Sequence, residues 1–71
     1  MREWLKTSRT EKRLTQEEIA KRLGISESYY CMIEQGERQK KMDITLITGL
    51  ADALSVSVDF IIQNESANAT N

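Results

Sequence analysis

The chain has 71 residues, 30% of them charged, with a formal net charge of -1, one cysteine and no histidine. That length admits a single domain with a small core, so a partner is an expected source of extra stability. The lone Cys31 excludes an internal disulfide and, without histidine, a structural zinc site, while no apolar run approaches the ~20 residues of a membrane span.

The start Met1-Arg2-Glu3-Trp4 is charged rather than signal-like, so a cytoplasmic location with no membrane partner is expected. Charge is segregated along the chain. All ten Lys and Arg fall in residues 1–41, against seven acids, whereas residues 42–71 carry four acids and no base. A basic first half suits a polyanionic partner, although charge alone fits solvated helix faces equally well.

Arg2 to Lys12 reads as a first helix with Trp4 and Leu5 apolar, although Ser8 stands where the next core residue should fall. Thr15-Gln16-Glu17-Glu18 is a capping box, in which the hydroxyl and the carboxylate each accept from the other residue's amide. The helix it opens buries Ile19, Ala20 and Leu23 and stops at Gly24, a residue suited to a left-handed end. Ser26 caps a third helix through Gln35, with Tyr30 and Ile33 inward and Gly36 as its terminator. Glu27, Ser28, Cys31, Met32 and Gln35 are then left facing outward.

After the basic loop Glu37 to Met42, Asp43 caps a helix over 44–54 in which Ile47, Leu50, Ala51 and Leu54 follow helical spacing. Gly49 costs that helix about 1 kcal/mol relative to alanine. Ser55 to Ile62 alternates like a strand, yet a lone strand has no partner, and Ser57 and Asp59 suit a helix start, so a helix over 58–63 is expected. The polar end, residues 64–71, is expected to be a disordered tail, placing the domain at 1–63. The fold class is all-α.

From Gln16 to Gln35 the sequence QEEIAKRLGISESYYCMIEQ resembles the helix-turn-helix of the XRE/Cro-like family, which includes phage repressors, restriction-modification controllers and antitoxins. Ala20 is small where two helices cross, Gly24 stands where the turn needs a positive φ, and Ile19, Leu23, Ile25, Tyr30 and Ile33 form the shared wedge. The resemblance covers nearly all of residues 2–63. It implies a compact, lambda-repressor-like five-helix bundle whose second and third helices form the helix-turn-helix. It also implies a regulator, a repressor by preference, that binds a palindromic double-stranded operator as a homodimer.

On this resemblance the base-reading positions are Glu27, Ser28 and Met32, with Ser26 and Tyr29 at the groove edge. DNA-backbone contacts fall to Gln16, Gln35, Arg38, Lys40 and Lys41. Arg9 and Glu34 match a family pair that bridges helices 1 and 3. Ser8 and Tyr30 depart from usually aliphatic positions, Arg13 and Ser55 stand where Gly or Asn is common, and Glu27 brings a negative charge to a DNA-facing helix.

Val58, Phe60, Ile61 and Ile62 offer more apolar surface than a short terminal helix needs, and are the expected dimer interface. An antitoxin, holding a toxin or other protein through the same surface, and a restriction-modification controller are the alternative readings. With no histidine, no nucleophile beside a base and no phosphate-binding glycine loop, neither an enzyme nor a cofactor or metal is expected.

Overall fold

Side chains at Thr15, Ser26, Asp43 and Ser57 fix where four of the helices begin in the computed structural model, which describes residues 1–69 and the side chains of 1–67. The elements are α1 (Glu3–Glu11), α2 (Gln16–Leu23), α3 (Glu27–Gln35), α4 (Ile44–Leu54) and α5 (Val58–Ala69), with no strand among the described residues. The Thr15 hydroxyl accepts from the Glu18 amide at 3.1 Å, and the Thr15 amide donates to the Glu18 carboxylate at 2.8 Å. Ser26, Asp43 and Ser57 accept from the amides of Tyr29, Leu46 and Phe60 at 3.1, 2.8 and 3.0 Å.

Gly24 (φ 73°) and Gly36 (φ 81°) end α2 and α3 in the left-handed region, where the missing Cβ removes the clash. Arg13 (φ 58°), Gln39 (φ 55°) and Ser55 (φ 57°) adopt the same region with a side chain present. Each of these costs roughly 1–2 kcal/mol, so packing or hydrogen bonding around it must hold it there. The two departures Arg13 and Ser55 thus lie where the backbone favours glycine.

α2 packs on α3 and α4, α5 packs on α4, and α1 touches α3. Leu5, Ile19, Tyr30, Ile33, Leu50, Leu54 and Ile61 have no exposed surface and define the core between these helices. Gly49 has a structural reason: a Cβ there would lie 3.0 Å from Leu23 Cδ2, so its absence lets α2 approach α4 closely. Residues 58–62 form helix despite their alternation, because Ser57 caps them and α4 presents an apolar face for one helical side to cover.

Two expectations change at the carboxyl end. The helix runs on to Ala69 instead of yielding to a tail at 64, and the expected residues 70 and 71 lie outside those described. Polar composition misled because no proline or glycine interrupts the segment and Glu65 is tied down, accepting from Arg2 at 2.8 Å and from Trp4 Nε1 at 2.9 Å. Ile61, expected at a dimer interface, is wholly buried in the chain's own core, since it is the residue α5 turns toward α4. No single helix among the described residues is long and apolar enough to cross a membrane.

Candidate nucleic-acid interface

Beneath the junction of α1, α2 and α3 lies a carboxylate with almost no access to water. Glu34 is 2% exposed, and its two oxygens accept from Arg9 Nε at 2.8 Å, Arg9 Nη2 at 3.2 Å, the Tyr30 hydroxyl at 2.7 Å and Gln16 Nε2 at 3.2 Å. Arg9 also donates to the Leu14 carbonyl at 2.8 Å, which fixes the connection between α1 and α2. Burial pushes the Glu34 carboxyl up, but the hydrogen bonds from Arg9, Tyr30 and Gln16 outweigh it and hold the group below the usual carboxylate range. The Glu34 hydrogen bond raises the Arg9 guanidinium further, against the opposing effect of burial. Burial, and then the Glu34 hydrogen bond, push the Tyr30 hydroxyl up, so it stays a donor at neutral pH. Tyrosine at a usually aliphatic position is therefore a fourth hydrogen bond to the carboxylate, which an aliphatic residue could not make.

This network sets the attitude of α3. With Tyr30 and Ile33 fully buried, Glu27 and Ser28 are exposed in the first turn and Met32 lies half-buried one turn on. Together with Gln16 and Cys31 they line one shallow groove spanning α2 and α3. The fold thus brings the three expected base-reading residues and the first residue of α2 into one surface. Gln16 spends one amide hydrogen on Glu34, leaving the other for a ligand. Ser26 is occupied as the α3 cap, while exposed Gln35 reaches Cys31 Sγ at 3.5 Å.

The α3–α4 loop carries Arg38, Lys40 and Lys41, all exposed. Lys40 and Lys41 do not share the groove of Glu27 and Ser28; they border a depression with Met42, Ile47 and Ile62, next to α5. Tyr29 joins the two regions: its ring packs against the core, and its hydroxyl accepts from Gln39 Nε2 at 3.0 Å. The Gln39 carboxamide also donates to Asp43 at 3.2 Å and accepts from the Asp43 amide at 3.1 Å, so the left-handed residue is pinned at its side chain. Along α5, Phe60 and Ile62 remain 38% and 44% exposed, Val58 is half-buried, and Phe60 meets Trp4 edge to face at 6.1 Å.

Sequence reasoning missed Arg2, Gln39 and Glu65. Arg2 counted as surface charge yet is 1% exposed. One signal was legible: α3 has no basic residue in its last turn, which leaves its carbonyl end open to a cation from elsewhere in the chain without saying which.

A family model described as helix-turn-helix matches residues 5–61, and the chain belongs to this XRE-like family. An uncharacterized HTH-type transcriptional regulator of Bacillus subtilis (strain 168), YqaF, is 49% identical over 45 residues, which are 63% of this chain and 59% of that protein. A second from the same strain, YqaE, with the same description, is 36% identical over 62 residues, 87% of this chain and 52% of that protein. The chain thus spans between about half and three fifths of these curated relatives.

Proposed function

We propose that this chain is a transcriptional regulator that binds specific double-stranded DNA as a homodimer, by preference as a repressor. The observation that carries the reading is the groove in which Glu27, Ser28 and Met32 of α3 stand beside Gln16 at the start of α2. In such an arrangement α3 enters the major groove while α2 crosses the backbone. Glu27 would accept from a cytosine amino group, Ser28 would donate or accept, and Met32 would touch a thymine methyl. Gln16, Ser26, Tyr29, Gln35, Arg38, Lys40 and Lys41 would contact the sugar-phosphate backbone, fixing register without reading sequence. Exposed Phe60 and Ile62, with half-buried Val58, supply the apolar patch for a second copy.

The test is a titration against the DNA flanking the gene and against a shuffled duplex, at low and near-physiological salt. Selectivity of about 10³ or more at the higher salt supports the reading, and equal binding erased by salt overturns it. Glu27→Gln is expected to shift base preference at one position per half-site. Lys40→Ala is expected to weaken binding to all sequences alike and lower the salt slope by about 1.

A further inference from the structure

Arg2 is among the most enclosed side chains of the protein, and all five N–H groups of its guanidinium find acceptors. Nε and Nη2 grip the two oxygens of Glu65 at 2.8 and 3.0 Å, the forked geometry that suits arginine to a carboxylate. The remaining hydrogens go to main-chain carbonyls. Nη1 donates to Ile33 in the last turn of α3 at 2.6 Å and to Arg38 at 3.2 Å, and Nη2 donates to Gln39. The Arg2 amide adds a bond to the Glu34 carbonyl at 2.8 Å.

This one side chain therefore supplies the positive charge that the carbonyl end of α3 lacks and grips two consecutive carbonyls in the loop beyond it. Those carbonyls belong to Arg38, one of the exposed loop bases, and to Gln39, whose left-handed conformation needs outside support. Glu65 also accepts from Trp4 Nε1, so the carboxylate is held by two side chains at the start of the chain. Besides Arg2, which holds its carbonyls, the loop is tied to Tyr29 and Asp43 through the Gln39 carboxamide.

We infer that Arg2 and Glu65 are positioning residues for the DNA-backbone loop, with the far half of α5 holding Arg2 and Arg2 holding the carbonyls that orient residues 38–41. The inference rests on the proposed DNA-binding reading for its consequence, but the ordering of the loop is measurable without DNA. A protein that presents Arg38, Lys40 and Lys41 in fixed positions neutralises more phosphates than one whose loop wanders, and so shows a steeper salt dependence.

The full chain carrying Glu65→Gln, which leaves Arg2 in place and removes the opposing charge, is compared with the unsubstituted chain by ¹⁵N relaxation. Both are then titrated with a short random-sequence duplex at about 50 and 200 mM salt. Expected are order parameters for the amides of 37–41 falling toward about 0.6 while those of α2 and α4 hold, and a salt slope lower by about 1–2. Arg2→Lys keeps the charge but not the fork, and is expected to produce the same two changes to a smaller degree. A lowered melting temperature with unchanged loop order and an unchanged slope, in either variant, overturns the inference and leaves the pair a structural staple. If the unsubstituted chain binds no duplex at low salt, the DNA reading falls, while the relaxation comparison still decides whether Glu65 orders the loop.

Discussion

Beneath the helix-turn-helix, Arg9 meets a carboxylate 25 positions away; at the opposite end of α1, Arg2 meets one 63 positions away. In the first region the anion is surrounded, with Arg9, Tyr30 and Gln16 all donating to Glu34. In the second the cation is surrounded, and its acceptors are three main-chain carbonyls and one carboxylate reached across the molecule. The difference separates two jobs for a buried ion pair. A saturated anion built from helical side chains locks the packing angle between helices, whereas a saturated cation that reaches carbonyls can hold an irregular loop, which has no helical ladder of its own.

Removing one partner of the first pair should have the largest effect. Arg9→Ala leaves a carboxylate that is 2% exposed without its charge partner and is expected to cost about 3–5 kcal/mol, read as a lower urea midpoint. For a domain this small that is a large fraction of the total stability. If the loss is below about 1 kcal/mol, the network around Glu34 does not set the helix packing and the contrast between the two regions collapses.

Acid tests the first region by a second route. Glu34 is held below the usual carboxylate range, so its stabilisation is fully present above the unfolded value of about 4.3 and is lost as pH falls through the lower folded value. Melting temperature is therefore expected to decline below about pH 4, and the decline should be shallower in Glu34→Gln, measured by circular dichroism between neutral and acid pH. Equal slopes in the two proteins would assign acid sensitivity to other carboxylates, of which Glu18, lowered by its hydrogen bonds with Thr15, is one.

The smallest expected effect concerns backbone strain that neither ion pair relieves. Arg13→Gly and Ser55→Gly remove a side chain from the left-handed region and are each expected to raise stability by up to about 1 kcal/mol, read as a melting-temperature increase of several degrees. Gln39→Gly should not gain in this way, because the Gln39 carboxamide bonds to Tyr29 and Asp43 would go with the strain. A gain at Gln39 as large as at Arg13 would mean that the loop is not held by those bonds.

Much of the fold was readable from local chemistry. The caps at Thr15, Ser26, Asp43 and Ser57 and the glycines at 24 and 36 act over three or four residues, so spacing along the chain is enough to find them. The groove of Glu27, Ser28 and Met32 follows from helical periodicity once Tyr30 and Ile33 are taken as buried. The length of α5, the burial of Ile61 and the occupation of Arg2 were not readable. Each depends on a residue more than half the chain away or on which face of a helix its neighbour covers.

Helix order, helix starts and the outward face of α3 are consequences of short-range hydrogen bonding and periodicity, and one chain read from end to end contains them. Which of ten basic side chains are free to meet a phosphate is another matter, and only the folded arrangement decided it. Arg2 carries the same charge as Arg38, but the fold encloses it beside a carboxylate and main-chain carbonyls, and charge in a sequence says nothing about which acceptor folding will bring within 3 Å.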